Sequence, residues 1–167
     1  FPMPYADIRG ISIYYESAGD PSSRNTVVLL NGIMASTASW KPLIRPLVHA
    51  GYQVLLHDFR GQLRSGKPEE PWDFCEHAED LRRLLDHTGT ETAHLAGISY
   101  GGEVALDAAA TFPARVSSVT AVTAAAAPDT MQAAAVEQWI ESAGTMKGSE
   151  FFTSMIPLDE RYESLRS

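Results

Sequence analysis

The stretch Leu95 to Leu106, LAGISYGGEVAL, sets Ser99 between Gly97 and Gly101 where an apolar strand pattern gives way to a helix pattern. A serine hydroxyl in that position can attack a carbonyl carbon, provided that a base takes its proton and donors hold the oxygen that becomes negative. Gly-x-Ser-x-Gly alone arises by chance in about one chain in twenty of this length. The strand-to-helix setting gives it meaning, because a sharp turn there lifts the serine Oγ out at the carboxyl end of a sheet, beside a helix N-terminus that favours negative charge. Tyr100 N–H would then supply one oxyanion donor. A second element, Asn31-Gly32-Ile33, follows another apolar strand pattern, and there Ile33 N–H would supply the other.

The elements that must position these residues alternate along the chain. ISIYYES (Ile11 to Ser17), TVVLL (Thr26 to Leu30), YQVLLHDF (Tyr52 to Phe59), TAHLAGIS (Thr92 to Ser99) and VSSVTAVTA (Val116 to Ala124) read as strands. The last four are continuous apolar runs, as expected of strands buried on both faces. Between them lie helix patterns. One spans Ser39 to Ala50, with Pro46 inside; one is capped by Asp73 and closed by Gly89; one runs from Tyr100 until Pro113. The single cysteine, Cys75, excludes an internal disulfide and reads as a packing residue at a helix start. This order predicts an α/β chain with a doubly wound, mostly parallel sheet. A core over residues 1–127 would be followed from 128 to 167 by a different region, whose amphipathic stripe includes Met131, Trp139 and Ile140.

Three segments in this order, NG with Trp40, DFRGQLRSGKP and GISYGG, resemble the signatures of the α/β-hydrolase superfamily over about Ile11 to Ala127. The resemblance implies a serine hydrolase of esterase, lactonase, thioesterase or peptidase type, with Ser99 as nucleophile and Ile33 and Tyr100 as oxyanion donors. Superfamily members with an aspartate nucleophile, such as epoxide hydrolases, fit less well because this elbow carries serine. Asn31 stands where the family often has histidine, and GQLRS replaces a more glycine-rich form. In Asp58 and Arg60 the second segment offers residues that brace loops by ion pairing.

In this fold the acid and then the histidine follow the serine in chain order. None of His49, His57, His77, His87 and His94 does so. Asp129 is a candidate acid and equally a helix cap. The expectation is therefore that residues 128–167 open a lid region, and that the histidine and the remaining strands lie on a missing C-terminal segment or a second chain. The alternative is a non-catalytic ligand-binding or assembly module that keeps the hydrolase fold. Met34, Trp40 and Trp139 are candidates to line an apolar acyl pocket, against a role in core packing. The expected substrate is a small apolar ester, lactone or thioester.

The bulk composition of the 167 residues narrows the partners. A formal net charge of -8 disfavours nucleic acid and anionic membrane surfaces. No apolar run approaches the ~18 residues of a membrane helix. No cluster has metal-ligand spacing and no glycine loop has dinucleotide-binding form, so no cofactor is expected. A cytoplasmic setting is the expectation.

Overall fold

In a computed structural model, which describes residues 4–69, 72–125, 130–147 and 150, the chain divides into two compact units, Phe1–Ala126 and Ala127–Ser167. The first unit holds a six-stranded sheet in the order β1-β2-β4-β3-β5-β6. Its strands are β1 (Tyr5–Ile8), β2 (Ile11–Ala18), β3 (Thr26–Leu30), β4 (Gln53–His57), β5 (Ala93–Ile98) and β6 (Val116–Val122). From β4 to β6 the pairings are parallel, whereas β1 with β2 and β2 with β4 are antiparallel. The mostly parallel sheet expected from the apolar runs is therefore present. β1 has no counterpart among the strands that the sequence pattern predicts. It is four residues long and joins β2 through Arg9 and Gly10, both at positive φ, which suits a two-residue hairpin.

Side-chain alternation along the central strands sorts the core into two layers. Val28 and Leu30 of β3, Leu55 of β4 and Leu95 of β5 join Leu81, Leu84 and Leu85 of α2 (Phe74–His87) and Val104, Ala105 and Ala108 of α3 (Tyr100–Thr111). Val27 and Leu29 of β3 and Val54 and Leu56 of β4 form a second cluster with Trp40 and with Ile44, Leu47 and Val48 of α1 (Lys41–His49). Helices thus cover both faces, as a doubly wound sheet requires. A 3₁₀ turn at Thr37–Trp40 precedes α1, so the expected helix from Ser39 starts in tighter winding. Pro46 is accommodated inside it, and Asp73 caps α2 by accepting the Glu76 N–H at 3.3 Å.

Three expectations about burial need correction. The sequence pattern of β6 predicts burial on both faces, yet much of it is exposed, Val122 at 48 %, because α3 covers one side and no described helix covers the other. For the same reason His94 of β5 is only half-buried, with its Nδ1 2.9 Å from Ser118 Oγ on β6. Cys75 is exposed rather than packed, since α2 turns its Ala78 and Leu81 face inward. In the second unit, α4 (Thr130–Thr145) carries Trp139 and Ile140 exposed on its surface. No described helix is long and apolar enough to cross a membrane.

Candidate active site

The register of the parallel strands brings their carboxyl ends together. Leu30 pairs with Gly97 and Leu29 with Leu56, so Asn31, Ser99 and the segment after His57 all leave the sheet at one end. This is the end where open α/β sheets bind ligands.

Ser99 occupies the turn between β5 and α3 with φ 52° and ψ -125°, a conformation costly for a residue with a Cβ. Three backbone bonds hold it there: its N–H donates to Val122 O at 2.8 Å, and its carbonyl accepts from Gly102 N at 2.7 Å and Glu103 N at 3.1 Å. The flanking glycines are required by space. A Cβ on Gly97 would run into the carbonyl of Gly101, and one on Gly101 into the carbonyls of Leu30 and Asn31. Strand, turn and helix can approach this closely only without those carbons.

The loop after β3 reaches the same turn. A Cβ on Gly32 would stand 3.5 Å from Ile98 O and 3.8 Å from Ser99 Cβ. Beyond it, Ala35 N–H donates to Gly32 O at 3.2 Å, with Met34 at φ 60° inside the turn. The structure therefore brings the segment carrying Ile33 up against Ser99. Among the described residues no acceptor takes the N–H of Ile33, nor that of Tyr100 at the first position of α3. Ile33 and Met34 expose 47 % and 43 % of their surface, whereas Trp40 packs into the second apolar cluster. Trp139 belongs to the second unit, and Asp129 lies outside the described residues.

Asn31 is fully buried and both ends of its amide are occupied. Its Nδ2 donates to His57 O at 2.9 Å, and its Oδ1 accepts from Trp40 Nε1 at 2.7 Å. Sequence reasoning missed this pairing, because nothing in a spacing of nine residues signals it. Asp58 braces loops as expected: it accepts from Thr37 N at 3.1 Å and from Arg64 Nε at 3.1 Å. Ser65 ties Asp58 to β2, donating to Asp58 O and accepting from Tyr14 N at 2.9 Å. Arg60 grips Asp80 of α2 through two bonds of 2.6 Å in a nearly dry setting.

None of the five histidines engages Ser99. His57 and His77 are each about 1 % exposed and flank Phe59, with ring centroids 4.9 and 5.0 Å away. Burial pushes His57 down to about 4; burial, then the neighbouring His57 and Arg60, does the same to His77. Their ring nitrogens have no partner among the described residues. His87 lies against Tyr15, and His49 is exposed on α1. The Tyr100 ring lies tilted against Phe74 and edge-on to His77, and burial, with Glu103 and Asp73 adding to it, pushes its phenol up to about 12. It is therefore no base at neutral pH. No described group of three or more His, Cys, Asp or Glu could hold a metal.

A family model described as alpha/beta hydrolase fold matches residues 25–162. The protein named "Putative carbamate hydrolase RutD" from Azorhizobium caulinodans is 38% identical over 122 residues, 72% of this chain and 44% of its own length. Epoxide hydrolase A of Mycobacterium tuberculosis is 35% identical over 124 residues, 73% of this chain and 38% of its own. The chain thus spans less than half the length of these curated relatives. Among solved structures, MGS-M2, an alpha/beta hydrolase enzyme from a Medee basin deep-sea metagenome library, superposes with a TM-score of 0.84 at 32% identity. That match covers 92% of this chain and 56% of the other.

Proposed function

Because the chain belongs to the α/β-hydrolase fold family, we propose that it carries the nucleophile and the oxyanion site of a serine hydrolase acting on carboxylic esters, lactones or thioesters of small apolar molecules. The observation that carries this reading is the approach of Gly32 to Ser99, next to two backbone N–H groups, of Ile33 and Tyr100, that no described acceptor takes. In the proposed reaction Ser99 Oγ attacks the carbonyl carbon and its proton passes to a base. The carbonyl oxygen becomes negative between the N–H groups of Ile33 and Tyr100. Collapse of the tetrahedral intermediate expels the alcohol or thiol, leaving an acyl group on Ser99, and water then releases the acid. A donor pair of this kind commonly supplies a factor of about 10² to 10³ per donor.

The similarity to both a carbamate hydrolase by name and an epoxide hydrolase leaves the reaction type to the residue at the elbow. A carbamate, like an ester, offers a carbonyl carbon to a serine oxygen. Opening an epoxide by an aspartate leaves an ester that water can hydrolyse, whereas a serine would leave a stable ether. Ser99 therefore favours carbonyl substrates. The five histidines are engaged or placed elsewhere, so we assign the base to a histidine outside these residues, on the rest of a longer polypeptide or a second chain. The exposed Ile33 and Met34 favour an apolar acyl group.

The test is labelling of the naturally expressed protein with a fluorophosphonate, read by intact mass. Labelling that disappears in Ser99→Ala supports the reading. A folded protein that hydrolyses no ester and takes no label would instead make this a binding or assembly module on a hydrolase fold.

A further inference from the structure

Asn31, Trp40 and the end of β4 form a closed frame around the loop that carries Ile33. The loop leaves β3 at Asn31 and ends at Trp40, where the 3₁₀ turn passes into α1. The amide of Asn31 closes it upon itself, since Trp40 Nε1 donates to Asn31 Oδ1 at 2.7 Å across nine residues. Both halves are also fastened to two consecutive residues where β4 ends, its last residue His57 and the following Asp58. Asn31 Nδ2 donates to His57 O at 2.9 Å, and Thr37 N donates to Asp58 Oδ1 at 3.1 Å. The chemistry fixes the amide's orientation: an indole N–H only donates and a carbonyl oxygen only accepts, so a flipped amide would lose both bonds.

We propose that Asn31 and Trp40 are positioning residues that aim the Ile33 N–H at the oxygen developing negative charge on the Ser99 substrate; this rests on the reading of Ser99 as nucleophile. Ile33's exposed side chain gives its backbone little anchorage. The direction of its N–H is set by the ends of the loop, and these are set by one amide. Asn31 also touches the elbow, because its carbonyl and that of Leu30 limit the space at Gly101. The Asn31 side chain thus ties the oxyanion loop to Trp40 and to the end of β4, while its backbone carbonyl bounds the space at the start of the helix that supplies Tyr100 N–H. A donor displaced by a fraction of an ångström stabilises a transition state poorly while leaving ground-state binding intact, so the signature is a loss in kcat rather than a rise in KM.

The experiment compares Trp40→Phe, Asn31→Ser and Leu47→Ala in the naturally expressed protein, with a short-chain p-nitrophenyl ester as probe. Trp40→Phe keeps an aromatic ring against Val27, Leu29, Val54 and Leu56 but removes the indole donor. It is expected to lower kcat about tenfold with KM within about twofold. Asn31→Ser leaves Trp40 packed, removes both amide bonds and is expected to show the same split, which keeps the test open where Trp40→Phe folds badly. Leu47→Ala thins the same cluster without touching Asn31, and is expected to lower the melting temperature while kcat stays within about twofold. Unchanged kcat in both frame variants overturns the proposal. So does an equal loss of kcat in Leu47→Ala, which would make the effect one of stability. Ser99→Ala separates the two levels: ester hydrolysis surviving that change refutes the nucleophile itself, whereas its loss together with unchanged frame variants refutes only the frame.

Discussion

The buried pair His57 and His77 should make the fold sensitive to mild acid, in a range separate from that of its carboxylates. Both rings are about 1 % exposed beside Phe59, and each is held neutral, with its titration pushed down from 6.5 to about 4 mainly by burial. An unfolded chain binds protons on these rings near pH 6.5, so acid favours the unfolded state. The stability they preserve is complete above about pH 6.5 and is lost as the pH falls through about 4. For a ring with those two values the loss is about 2 kcal/mol at pH 5 and about 3 kcal/mol at pH 4. Two rings together remove about 4 kcal/mol at pH 5, a large part of the 5 to 15 kcal/mol of an ordinary domain. Around pH 5 the folding free energy should therefore change by about 2 kcal/mol per pH unit. The carboxylate of Glu79, held down at about 2 chiefly by its bonds to Arg82, gives up its share only between about 4.5 and 2. Urea unfolding of the naturally expressed protein at half-unit steps from pH 8 to pH 4 measures the slope. His57→Leu and His77→Leu should each flatten it by about half, and comparison with the parent subtracts Asp80, whose carboxyl burial pushes up and whose effect runs the opposite way. An unaltered slope in both variants would refute the reasoning, because it would mean that neither ring takes up a proton on unfolding.

Other consequences are as direct. Replacing Ser99 with glycine relieves the backbone at φ 52° and should raise the unfolding free energy by about 1 kcal/mol while abolishing hydrolysis, both measurable on one preparation. Gly101→Ala sets a methyl group against the Leu30 carbonyl and should cost about 3 kcal/mol or more, seen as a drop in melting temperature or loss of soluble protein. Asp80→Asn leaves the Arg60 guanidinium, 5 % exposed, without its bidentate partner; chemical denaturation should show a loss of about 3 kcal/mol.

Local chemistry was enough to find the elbow and the strands around it. Gly97, Ser99 and Gly101 sit at a switch from period-two to period-four hydrophobicity, and that switch is visible in the chain because strand and helix impose their periods on neighbouring residues. The centres of the runs Thr26 to Leu30 and Tyr52 to Phe59, Val27 to Leu30 and Val54 to Leu56, are continuously apolar because both faces of a central strand are covered, and that is visible in composition alone. Which runs are covered is another matter. Val116 to Val122 has a similar look, yet it stands at an edge of the described sheet, and strand order is a fact about partners that no strand carries in itself.

The side-chain network behind the site belongs wholly to the tertiary structure. Asn31 reads along the chain as a turn residue beside glycine, and Trp40 as a core residue before a pocket one. Their bond exists because the loop folds back over nine residues and because the end of β4, two strands from Ser99, presents the His57 carbonyl to the other side of the same amide. His57 and His77 likewise stand twenty residues apart and come together only through Phe59, against which both rings pack edge-on. A hydrogen bond or a shift in titration depends on distance and burial, and those arise between elements rather than along them. The chain by itself thus determined which serine stands between glycines at the strand-to-helix turn, and the period of the elements that hold it. Only the folded sheet decided which polar groups are locked, which stay dry, and which N–H groups near Ser99 find no acceptor among the described residues.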